Sequence, residues 1–126
     1  MQRYYKKVVE IANFEFWCKQ LLYNFTSEEF RVMSKKEFKT ISYFIKYYFN
    51  WSMNWSELEY CIEEFLMREK KENIDALKRE VETMYMLNDS ELIREVAYDL
   101  GDRGMPTHRA LDMIKVLYTK TRKSNK

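Results

Sequence analysis

WSELEYCIEEFLMREKKENIDALKREVETMYML, residues 55–87, contains no glycine or proline, and its apolar residues recur in steps of three and four. That spacing is helical, since a half-buried strand would alternate every second residue. Leu58, Ile62 and Phe65 form one stripe, and Ile74, Leu77, Val81 and Met84 form another. On one continuous helix the two stripes would point about 100° apart, so they cannot face a common core. The polar run from Arg68 to Asn73 separates them. We therefore expect two helices, broken near Glu72–Asn73.

Working toward the N-terminus, Asn54-x-x-Glu57 fits a capping box, in which two side chains satisfy orphan amides of a helix start. The residues Asn50-Trp51-Ser52-Met53-Asn54-Trp55 break the helical pattern and predict a turn. Before it, Phe38, Ile41, Ile45, Tyr48 and Phe49 cluster on one side of a helix expected over about 35–50, which buries them. Thr26-x-x-Glu29 and Ser34-x-x-Glu37 mark two further starts, the first for a short helix near 27–33. Residues 3–24 predict the first helix, apolar on two sides and so suited to a central position.

Toward the C-terminus, Asn88-Asp89-Ser90 supplies N-cap residues for a helix carrying Leu92, Ile93, Val96 and Leu100. Gly101 is expected as its left-handed C-cap residue. Pro106 and Thr107 open a last helix that buries Ala110, Leu111, Ile114, Leu117 and Tyr118. The only glycines, Gly101 and Gly104, and the only proline, Pro106, fall in this one connection. Hairpins need such residues at every turn, which excludes a sheet-based fold. The expected architecture is all-α: a compact single-domain bundle of six or seven helices around an aromatic-rich core. It spans residues 1–119, followed by a basic, flexible tail over 120–126.

Formal net charge is only +2 over 126 residues, but it is unevenly spread. Residues 1–50 carry nine basic and five acidic side chains, residues 51–100 six and thirteen, and residues 101–126 seven and two. Such a dipolar chain favours a partner of matching charge pattern over general attraction to a polyanion. Cys18 and Cys61 form no CxxC pair and are read as reduced core residues in a cytoplasmic setting. Residues 1–10 carry charges where a signal peptide needs an apolar stretch, and no run is long enough to span a membrane.

Catalytic and metal chemistry find little footing. The single histidine, His108, cannot build a zinc or di-iron site, so no metal and no cofactor are expected. Cys18 sits on an apolar stripe that disfavours a thiolate. Gly101-Asp102-Arg103-Gly104 lacks the Lys-Ser/Thr of a phosphate loop. Glu69-x-x-Glu72 and Glu72-x-x-Asp75 overlap, and cannot supply the two facing carboxylate motifs of an all-α pyrophosphohydrolase. A non-enzymatic protein is expected.

Two surfaces remain as binding candidates. The first joins Tyr47, Trp51, Met53 and Trp55 with the acidic side chains Glu59 and Glu63, and Met84, Tyr85 and Met86 form a second such cluster. Trp, Tyr and Met are enriched at interface cores. Core filling at helix ends is the alternative use of the same rings. This surface suits another protein, basic in charge by complementarity to Glu57 to Glu72, or a second copy of the chain. The second surface, Lys36, Lys39, Tyr43, Lys46 and Tyr47, combines phosphate-neutralising and base-stacking groups that fit single-stranded nucleic acid, or else is a solvated helix face. Residues 90–123 offer a related alternative, a helix-turn-helix-like DNA-binding regulator. Thr107, His108 and Arg109 would begin its recognition helix, and Lys120, Arg122 and Lys123 would touch phosphate. Against it stand Asp102, Asp112 and a long connection. Small size, helices and abundant aromatics are shared by many inhibitors, immunity proteins, adaptors and phage or bacterial regulators, a likeness of class only.

Overall fold

The computed structural model describes residues 35–123, and over them the helical periodicity is realised as five α-helices. These are α1 (Lys39–Tyr47), α2 (Leu58–Arg68), α3 (Lys71–Leu87), α4 (Ser90–Asp99) and α5 (Thr107–Lys123). Single 3-10 turns, Lys36–Phe38 and Trp55–Glu57, lead into α1 and α2. No strand occurs among the described residues. The count is below the six or seven expected for the chain. The helices expected over 3–24 and near 27–33, with Cys18, lie outside the described residues.

α5 is the central element, packed against α2, α3 and α4, while α1 lies across α3 and α4. The apolar stripes explain this order. Ala110, Met113, Ile114 and Leu117 of α5 are buried, as are Leu58, Ile62 and Phe65 of α2 and Ile74, Leu77, Val81 and Met84 of α3. The break between α2 and α3 falls at Glu69–Lys70, both extended, three residues before the expected Glu72–Asn73. The Glu69 carboxylate is committed to partners described below. α5 also runs past residue 119 to Lys123, so residues 120–123 of the expected flexible tail are helical. Thr121 is buried there, with its hydroxyl donating to the Leu117 carbonyl at 2.7 Å.

Local caps behave as the side chains dictate at two starts. The Asn54–Glu57 capping box is formed, with the Asn54 amide donating to Glu57 at 2.8 Å, and Asp89 accepts from the Leu92 amide. α1 is different, because its N-cap residue is Phe38, which offers no acceptor. The acceptor comes from α3 instead. Glu80 Oε1 receives the Thr40 and Ile41 amides at 2.8 and 2.9 Å. A carboxylate at a helix N-terminus satisfies orphan donors and complements the helix dipole. Burial nevertheless pushes the Glu80 carboxyl above its ordinary value, outweighing these hydrogen bonds and Arg79.

The α4–α5 connection corrects one expectation. Gly101 does not adopt a left-handed conformation; Asp102 does, with φ 58°. Gly101 is needed for space, since an added Cβ would lie 2.9 Å from both the Ala97 carbonyl oxygen and Ile45 Cγ2. The end of α4 can thus close on α1.

Glu80→Ala should destabilise the domain by about 1–2 kcal/mol, the usual value of a lost N-cap. Glu80→Gln keeps an acceptor and removes a buried charge, so it should cost far less. Because the folded-state value of Glu80 is raised, its stability contribution is full below the unfolded value and declines as pH rises through the folded one. Glu80→Gln should remove that decline, read as melting temperature against pH.

Candidate functional site

The turn between α1 and α2 is built on one arginine. Arg103 is 6% exposed, and its Nη1 donates to the carbonyls of Phe49 (3.2 Å), Asn50 and Met53 (3.1 Å). Its guanidinium carbon lies 4.0 Å from the Phe49 ring centroid and 4.9 Å from that of Trp55. Three carbonyls and two ring faces replace the water that burial removes, and no carboxylate pairs with it among the described residues. Arg109 stacks on Trp55 from α5, 5.1 Å to the centroid, and Trp55 meets Phe49 edge-on at 5.0 Å.

Trp55 is therefore half-buried and committed to its neighbours, and Met53 packs partly into the core. Trp51, in the same turn, points outward at 76% exposed. It joins Tyr47, Tyr60 and Met67, at 62%, 58% and 73%, the most exposed large apolar side chains of the α1–α2 side. Tyr60 and Met67 are seven residues apart, which places them on one face of α2.

Between the two helices runs a groove of about 460 Å³ lined by Tyr43, Tyr47, Tyr48, Met53, Tyr60, Cys61, Glu64 and Arg68. Aromatic side chains span the interval between α1 and α2. Tyr48 and Tyr43 both meet Phe65 edge-on, at 5.1 and 6.2 Å, and Tyr43 tilts against Tyr47 at 5.1 Å. Large rings set the helices apart here, and the groove is the space above them.

Glu69 anchors two of these rings. It accepts the Tyr43 hydroxyl at 2.8 Å, the Tyr48 hydroxyl, and the Asn73 side-chain amide at 2.7 Å. Burial alone would raise its carboxyl, but the three donors and Lys70 hold it below the ordinary value. The same contact raises both phenols, Tyr48 chiefly through burial and Tyr43 chiefly through the hydrogen bond itself. Tyr48, expected in the core, is thus half-buried with its hydroxyl in use, and Phe44 takes the fully buried place beside it. On the groove floor, burial pushes the Cys61 thiol up, as do Glu57 and Glu64, so it stays protonated and a poor nucleophile.

The remaining expected residues do not form one site. Glu59 and Glu63 are exposed on α2 but converge on Lys120 of α5, at 3.6 and 2.7 Å. Arg122 stacks on Tyr118 and approaches Glu82 at 3.7 Å, so two cations of the expected phosphate-contacting set face carboxylates. Lys123 is exposed at the end of α5, while His108 and Arg109 are exposed and Thr107 half-buried at its start. Lys39, Tyr43, Lys46 and Tyr47 are exposed on α1 and Lys36 on the 3-10 turn before it, with Lys46 3.6 Å from Asp102. Tyr43 and Tyr47 of that set belong to the groove. In the other expected aromatic cluster, Met84 is core, while Tyr85 stacks on Tyr118 at 3.9 Å. Tyr60, Met67, Glu64 and Glu69 escaped sequence reading because only tertiary contacts place them opposite α1. The repeat Tyr60-x-x-x-Glu64-x-x-x-Arg68, with Met67, was the available signal.

Among the described residues no group of His, Cys, Asp or Glu could hold a metal ion, and no helix is long and apolar enough to cross a membrane. Comparison with protein families, curated proteins and solved structures gives no match to this chain.

Because the folded-state value of Glu69 is depressed, its contribution is present above the unfolded value and lost as pH falls through the folded one. Replacing Tyr48 by Phe removes one donor and should raise the Glu69 carboxyl toward its ordinary value. Carboxyl NMR titration of both proteins would read the shift. Arg103→Met should destabilise by about 2–4 kcal/mol, since it strands carbonyls that burial cuts off from water.

Proposed function

We propose that this chain is a small, non-enzymatic protein-binding module whose contact face is the α1–α2 groove and its rim. The observation that carries this reading is a groove lined by the exposed rings of Tyr47 and Tyr60, with Trp51 exposed in the turn that joins its two helices and Met67 exposed on α2. Exposed large apolar side chains scattered singly need no explanation, whereas a gathered set with aromatic character is typical of an interface core. The turn that carries Trp51 is anchored by Arg103, so this ring is offered on a fixed support. A fixed support lowers the ordering cost of binding.

An inhibitor, immunity factor or adaptor working in the cytoplasm would need no more chemistry than this. Its partner is another protein with a basic surface, or a second copy of the chain. The competing reading, DNA binding through residues 90–123, is weakened by the carboxylates that face Lys120 and Arg122. Phosphate contacts there would have to break those pairs.

Trp51→Ala and Tyr60→Ala should each weaken partner binding about tenfold or more, the loss usual for an aromatic anchor. Both side chains are exposed, so melting temperatures should stay near that of the parent. The measurement is affinity capture from a lysate of the source cells after nuclease treatment, comparing parent and variants. A stoichiometric companion kept by the parent and lost by both variants supports the reading. Equal retention by all three proteins, or an eluate consisting of nucleic acid, would sink it.

A further inference from the structure

We infer that the α1–α2 groove is a seat for a guanidinium group, and that an arginine side chain of the partner protein occupies it. The inference rests on the protein-binding reading above and names the chemistry of its central contact.

Four of the ten tyrosines, Tyr43, Tyr47, Tyr48 and Tyr60, line this one groove. An aromatic face carries partial negative charge and attracts a cation set over it. Two of these rings are further enriched, because Tyr43 and Tyr48 donate their hydroxyls to the Glu69 carboxylate. A phenol that donates to an anion gains electron density in its ring. Those hydroxyls are engaged on Glu69, so what these rings still offer an occupant is aromatic surface.

The groove's charge points the same way. Glu64 is the carboxylate of the lining, and Glu69 holds the hydroxyls of two of its tyrosines. The cation of the lining is Arg68, whose Nε lies 2.8 Å from Glu64 Oε1. Arg68 is itself a guanidinium, 71% exposed on the rim, while the Glu64 it holds is 24% exposed. An exposed helix pair of this kind is weak and easily exchanged. A partner arginine would take over Glu64 with its planar fork and lay its face on the tyrosines, while Arg68 swings into solvent. Arginine suits this better than lysine, because guanidinium is less strongly hydrated and stacks on rings. The protein makes the same contact internally, with Arg103 on Phe49, Arg109 on Trp55 and Arg122 on Tyr118. The volume of about 460 Å³ accommodates an arginine side chain and part of its backbone.

The test is an NMR titration of the full chain with N-acetyl-arginine amide and, separately, N-acetyl-citrulline amide, which has the same shape without the charge. The arginine probe should shift the ring signals of the four tyrosines and bind at least about fivefold more tightly than citrulline. Arg68→Gln should strengthen arginine binding several-fold by freeing Glu64, and Glu64→Gln should remove most of the preference over citrulline. Equal binding of the two probes, no ring shifts with either, or no gain in Arg68→Gln would overturn the inference. If the tyrosines fail this test while Trp51→Ala still loses the captured partner, the guanidinium seat is wrong and the protein-binding reading stands. If the probe binds as expected but Trp51→Ala and Tyr60→Ala keep the partner, the partner reading fails, and the partner-arginine assignment with it.

Discussion

A single buried cation organises the end of this domain where α1 turns into α2. Arg103 comes from the connection before α5, yet its hydrogen bonds go to carbonyls of Phe49, Asn50 and Met53, some fifty residues earlier. The Asn50 carbonyl also takes the Met53 amide at 2.9 Å, so it is the carbonyls of Phe49 and Met53 that depend on the guanidinium. Left without a donor, a buried carbonyl is costly in a low-dielectric interior. The guanidinium solves both problems together, because its in-plane N–H groups reach the carbonyls while its faces lie against Phe49 and Trp55. The positions of Trp51 and Met53, and hence the mouth of the groove, follow from it.

The groove exists because the residues between α1 and α2 are too large to let the helices close. Elsewhere aliphatic stripes interlock around α5. Here Phe44 and Tyr48 both stand edge to face against Phe65, and the hydroxyls of Tyr43 and Tyr48 need a polar terminus. Glu69, the residue at which α2 ends, provides it. The same residue therefore marks a helix boundary and satisfies two phenols of the groove. Stability and binding chemistry share these atoms.

Charges were the least legible feature. Glu59 and Glu63 look in sequence like a free acidic face, and Lys120 and Arg122 like a free basic tail. In the fold they face carboxylates and cations of neighbouring helices. A charge pair between residues forty or more positions apart leaves no trace in local spacing. Among the aromatics the outcome divided by position. Trp51, at the apex of the turn, is exposed, while Trp55, four residues on, is turned inward to Arg103 and Arg109.

The amino-acid sequence by itself determined the helical class, the two-helix division of residues 55–87, the turn over 50–55 and most of the buried faces of α2 to α5, although Leu100, expected on that of α4, is exposed. These are set by neighbours within a turn or two of helix, through periodicity, capping side chains and the placement of glycine and proline. Only the tertiary structure decided that Glu80 caps α1, that Gly101 is required for the approach of Ile45, that Arg103 holds a distant turn, and which tyrosines share a groove. Each of these joins groups from separate helices. Their partners are chosen by how the helices pack, which local spacing does not encode.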